Sequence, residues 1–100
     1  MPIILRENVS VTDVETIIIE PTETDKTKDR IFTVTNGENK IVVKALGTND
    51  GENWIEKASL EIEANDNGTL IAGLNVYIVK LIGRTLISGR TSIVDASLTW

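Results

Sequence analysis

The chain has no cysteine and no histidine, and only four of its 100 residues are aromatic. Without cysteine there is no disulfide staple and no thiolate nucleophile. Without histidine the commonest general base and the commonest zinc ligand are missing as well, so nucleophilic triads and most zinc chemistry are excluded. Long apolar runs are also absent. Stretches such as Thr16-Ile17-Ile18-Ile19 fall far short of the roughly 20 residues that a membrane-spanning helix needs, and no membrane partner is expected. Basic residues are in the minority, ten against fifteen acidic ones, and the net charge of −5 repels a phosphate backbone. Nucleic acid is therefore excluded as an expected partner.

What the chain does have is β-branched residues. An apolar share of 41% supports one core, and with so few aromatics that core must be built from Ile, Val and Leu on pleated surfaces. One hundred residues fit a single domain, 1–100, against a prior of about 100 to 200 residues per domain. The N-terminal MPIILRENVS has no basic region, longer apolar segment and cleavage site of a secretory signal, so the expectation is a product made in the cytosol or carried out of the cell in a particle.

Period-two alternation recurs along the chain. Ile3 to Leu5 and then Val9, Val11 and Val14 predict one or two strands with a bend at Thr12-Asp13. Ile17 to Ile19 predict another, ended by Pro21 because proline cannot donate to a ladder. The polar stretch from Glu20 to Arg30 reads as a charged surface loop, and residues 1–29 as an N-terminal strand or arm followed by that loop, either of which is a candidate contact arm. Arg30 to Thr35 and Lys40 to Leu46 flank Asn36-Gly37, which predicts an antiparallel hairpin. Leu60, Ile62 and Ala64 alternate inward with Glu61 and Glu63 outward, Asn65-Asp66-Asn67-Gly68 forms a turn, and Val76 to Ile82 reads as a central strand covered on both faces. Ser88-Gly89-Arg90 turns the chain into a last strand, Ser92 to Trp100. The sum is about seven to nine short strands, the pattern of an antiparallel β-sandwich, Ig-like or jelly-roll-like.

Chemistry-bearing constellations are few. Glu61 and Glu63 share one strand face at a spacing of ~7 Å, a separation open to glycosidic cleavage, yet an exposed polar face explains them better. An EF-hand alignment on Gly68 puts Glu63, Asn65 and Asn67 at ligand positions but Leu74 where a bidentate Glu is required. No metal, cofactor or catalytic set is expected. For sugar stacking the aromatic set is Phe32, Trp54, Tyr77 and Trp100, of which Phe32 and Tyr77 sit in patterns that suggest core.

One stretch carries a resemblance. KALGTNDGENWIEKASLEIEANDNGTL, with Thr48, Asn49, Asp50, Gly51, Asn53 and Trp54 at its centre, resembles an Asp-Gly-x-Asn-Trp turn that recurs in small all-β domains of phage virion proteins and bacterial surface proteins. The resemblance covers roughly Arg30 to Trp100, and Lys80 stands where the related strands often carry Arg. It implies a non-enzymatic structural protein of a phage-like particle, such as a capsid decoration, tail or fibre component. Such a protein assembles in the host cytoplasm into the virion, as a homo-oligomer and with other virion or surface proteins. The alternative is a carbohydrate- or surface-binding adhesion module at the cell surface. In either case Asn49, Asp50, Glu52, Asn53 and Trp54 form the candidate ligand or interface loop. Within it Gly51 supplies the turn, and Trp54 starts the next strand and folds back over the sandwich edge.

Overall fold

Alternating β-branched segments separated by Asn, Asp and Gly clusters cannot bury their apolar sides alone, and they solve this by stacking two sheets face to face. In the computed structural model, which describes residues 2–100, eight strands run β1 (Ile3–Val11), β2 (Thr16–Glu23), β3 (Ile31–Thr35), β4 (Ile41–Thr48), β5 (Ile55–Ile62), β6 (Asn67–Ile71), β7 (Ile78–Thr85) and β8 (Ser92–Thr99). They form two antiparallel four-stranded sheets, ordered β1-β8-β3-β6 and β2-β7-β4-β5. The all-β sandwich expected from alternation is present. Among the described residues no helix is long and apolar enough to cross a membrane.

The strand order carries more than the class. Pairs β1 with β8, β2 with β7, β3 with β6 and β4 with β5 nest inside one another, so the chain is one long hairpin wrapped over to make two sheets. Wrapping adds the pairs β3 with β8 and β4 with β7. This is the jelly-roll order, and it leaves a single connection, β4 to β5, inside one sheet. Every other loop crosses from one sheet to the other.

That topology overturns the hairpin expected at Asn36-Gly37. β3 and β4 lie in different sheets, and neither Asn36 nor Gly37 has a positive φ. Asn36 is buried and uses its side chain as a bracket, donating to the carbonyls of Asn39, Ile62 and Glu63 and accepting from the Gly37 N–H and the Ser92 hydroxyl. A Cβ on Gly37 would sit 2.5 Å from the Ile93 carbonyl oxygen, so this glycine answers to a close backbone approach.

Other boundaries shift for physical reasons. β2 runs through Pro21 to Glu23, because β2 is an edge strand and its pairing with β7 is broken by register shifts after Ile17 and after Ile19. Within the N-terminal segment, β1 and β2 are edge strands, one in each sheet. The segment up to Arg30 is not a free loop. Arg30 is fully buried and donates to the carbonyls of Asp25 and Gly73. Ala64 lies beyond the end of β5 and is exposed, and β7 begins at Ile78, leaving Val76 and Tyr77 in the preceding loop.

Between the sheets Phe32, Val34, Ile41, Val43, Val79, Leu81 and Leu98 are fully buried. Ile82, which alternates with Leu81 toward the outside of the second sheet, is buried as well, but in the same outward row Ile78 and Lys80 are half-buried and Arg84 is exposed, so the other sheet covers β7 on its inner face alone and the expectation of a strand covered on both faces is not met. The two outer faces differ. On the second sheet Lys40 bridges Glu61 and Glu63 at 3.1 Å each, and Lys44 bridges Glu56 at 3.4 Å. On the first sheet the outward rows Ile3-Thr99-Ile31-Ile71 and Leu5-Ser97-Thr33-Thr69 contain no charge, and the next row, Asp95-Thr35-Asn67, carries the exposed Asp95 carboxylate.

Candidate functional site

Three loops meet at one end of the sandwich: residues 24–30, 49–54 and 72–77. The middle one holds the candidate residues Asn49, Asp50, Glu52, Asn53 and Trp54. It is the tip of the β4–β5 hairpin, the innermost turn of the nested chain.

The tip is built from its own side chains. Thr48, almost wholly buried, accepts from the N–H groups of Asp50 and Gly51 at 3.3 and 3.2 Å and donates its hydroxyl to the Asp50 carboxylate at 2.9 Å. The Asp50 Oδ1 atom accepts from the N–H groups of Glu52 and Asn53, both at 2.8 Å, and Oδ2 accepts from the Asn53 amide at 2.6 Å. These bonds, the Asn53 and Glu52 N–H groups first and the Asn53 and Thr48 side chains after them, hold the Asp50 carboxyl far below the ordinary carboxylate range. Gly51, at φ 81°, takes the left-handed conformation that closes the turn. A Ser/Thr motif overlapping an Asx turn thus satisfies the tip from within.

Neighbouring loops are tied to it by hydrogen bonds that main-chain carbonyls accept. The Asn49 amide donates to the Asn75 carbonyl at 2.9 Å, the Asn75 N–H to Lys26 at 3.2 Å, and the Tyr77 N–H to Thr48 at 3.1 Å. Thr24 donates both its N–H and its hydroxyl to the Tyr77 carbonyl. Arg30 closes the set from below, one guanidinium nitrogen on Asp25 and one on Gly73, and burial lowers its pKa against the opposing pull of Asp29 and Asp25.

Trp54 leaves this network. β5 begins one residue later, and the half-buried indole lies beneath the Lys80 ammonium, 4.2 Å from the ring centroid. Such a cation–π contact contributes about 0.5 to 1 kcal/mol at an exposed site. Lys80 therefore has a local role as the cover on one face of Trp54. Tyr77, expected in the core, is 45% exposed, because its backbone anchors the end loops and β7 has not yet begun. Phe32 is buried as expected.

Five candidate residues thus separate by role. Asn49, Asp50 and Asn53 are engaged inside the loop cluster, Trp54 is paired with Lys80, and Glu52 is exposed with only its N–H bonded within the turn. Three of the four hydrogen bonds that Asp50 accepts fall on Oδ1 and one on Oδ2, so both carboxylate oxygens are engaged in the turn. Glu61 and Glu63 grip Lys40. Among the described residues no group of three or more acidic side chains converges on one point.

The roles of Thr48 and Arg30 were not legible beforehand. Thr48 had a local signal, a hydroxyl two residues before Asp50; Arg30 had none, since its carbonyl partners lie 5 and 43 positions away. No protein-family model matches the chain, and a search of curated proteins finds no match.

Proposed function

We propose that this chain is a non-enzymatic structural module that acts by protein–protein assembly, as a capsid decoration, tail or fibre component of a phage-like particle. The observation that carries the reading is the state of the hairpin tip. Its polar groups are spent on the turn and on neighbouring loops, which suits a rigid scaffold and leaves little for binding a small molecule. Jelly-roll sandwiches serve in capsids and in lectins alike, so the fold is compatible with assembly without selecting it.

Carbohydrate or surface binding is the second reading, favoured by one observation: Trp54 stays partly exposed at the end of the molecule. A sugar stacking there would use the ring face that Lys80 does not cover.

Sedimentation velocity over a range of concentrations, electron microscopy of the assembled fraction and a glycan array on wild type and Trp54→Ala separate the two. A defined oligomer with no glycan signal is the expected result. A monomer at every concentration that binds glycan, and loses it in Trp54→Ala, overturns the assembly reading.

A further inference from the structure

We infer that β5 is the strand through which two copies of this chain join edge to edge, an inference that rests on the assembly reading above. Each sheet ends in two edge strands, and of these β1, β2 and β6 are blunted against a further strand. β1 bulges between Arg6 and Val9, where Asn8 has φ 54° and donates its N–H to Asp95, and Arg6 donates across to Glu20 of β2. β2 carries Pro21 and two register shifts, and β6 is only five residues long. β5 has eight residues and no proline. Its one register shift lies at Lys57, and from Ala58 to Ile62 it pairs with β4 without a break.

The alternation of the ladder fixes which main-chain groups of β5 are free. The Leu86 N–H donates to the Lys40 carbonyl, whereas the Thr85 N–H donates to Thr12, away from β4. Successive residues of a strand turn to opposite neighbours, so Lys40, Val42 and Lys44 bond to β7, and Ile41, Val43 and Ala45 bond to β5. Their partners on β5 are Ile62, Leu60 and Ala58. Ser59 and Glu61 therefore turn their N–H and C=O groups to the open edge, where no loop main chain among the described residues bonds to them.

Charge selects the occupant of that edge. Lys40 is shared by Glu61 and Glu63, at 3.1 Å each, so the C-terminal end of β5 keeps one carboxylate in excess. At the other end Glu56 is paired with Lys44, while Lys57, half-buried beside Gly73, has no ion-pair partner among the described residues. The two ends of one strand thus carry opposite unbalanced charges. A second copy, antiparallel and related by a two-fold axis through Ser59, sets Lys57 against Glu61 on both sides of the axis, and the two Ser59 residues exchange N–H···O bonds. The two β2-β7-β4-β5 sheets then run on as one. Copies of net charge −5 repel wherever their carboxylates face each other, and this register opposes none. A strand of another charge pattern has no such match.

Ser59→Pro is the direct test, because it removes an N–H that faces the open edge and none that bonds to β4. In sedimentation velocity the wild type should dimerise as concentration rises, and Ser59→Pro should stay a monomer with a cooperative thermal melt. Lys57→Glu and Glu61→Lys, made singly, should each raise the dimer dissociation constant by about ten-fold or more, and the two together should return it to within about three-fold of wild type. Should Ser59→Pro fail to melt cooperatively, this charge reversal gives the same reading. A folded Ser59→Pro chain that associates like wild type, or a double reversal no better than its single variants, overturns the assignment of β5 and leaves the assembly reading standing. A wild-type chain that is monomeric at every concentration also overturns it, whereas the assembly reading falls only if that monomer binds glycan through Trp54.

Discussion

At the residue scale two polar side chains make opposite demands on protonation. Asp50 is an acceptor only, receiving two backbone N–H groups, the Thr48 hydroxyl and the Asn53 amide, and its pKa is depressed. Its contribution to stability is therefore whole above the ordinary value of 3.8 and declines as pH falls below it. Asp50→Asn should lower the melting temperature at pH 7, and the gap between variant and wild type should narrow on acidification; a gap independent of pH would contradict the charge-assisted turn. Asn36 is the reverse case, its amide donating to three carbonyls. In Asp, one carboxylate oxygen would keep the Gly37 N–H and the Ser92 hydroxyl, but the other would face those three carbonyls, buried and with no donor. Asn36→Asp should cost about 1 to 3 kcal/mol at neutral pH, with stability recovering as the variant's raised carboxyl protonates at lower pH, read from urea melts at two pH values.

Asn-Gly and Asp-Gly look alike to a reader of sequence, yet at the scale of elements they do different work here. Asp50-Gly51 closes the β4–β5 hairpin, the one connection among the described residues that stays within a sheet, whereas Asn36-Gly37 carries the chain from one sheet to the other. Both sit between alternating β-branched runs, so local pattern could not separate them. What decides is where β3 and β4 find partners, and those partners, β8 and β7, lie far along the chain. Gly37→Ala tests the distinction. Its Cβ would press on the Ile93 carbonyl and the Ser92 hydroxyl, so a loss of about 1 to 3 kcal/mol is expected in chemical denaturation, from overpacking and not from backbone strain. Pro21 gives the same lesson. A rule that stops strands at proline fails on an edge strand whose register is already broken.

For the whole molecule, nesting sets the folding problem. Ile3 pairs with Thr99 and Thr16 with Gly83, so most of the chain must be ordered before the outer pairs can form, and the loop-closure entropy is spent first. Refolding is expected on the scale of roughly milliseconds to seconds, as for other sandwiches dominated by non-local pairing. Stopped-flow fluorescence of the two tryptophans checks this, and a phase complete in microseconds would contradict it.

The all-β class, most strand segments and the turn chemistry of residues 48–54 were determined by the sequence itself. Period-two alternation, β-branched content and short-range hydrogen bonding are local properties that need no partner strand. The jelly-roll order, the buried place of Arg30, the exposure of Tyr77 and the cover that Lys80 provides for Trp54 were decided by tertiary structure alone. Each depends on which distant strand lies alongside, and that choice is made by burying the apolar faces of all eight strands at once.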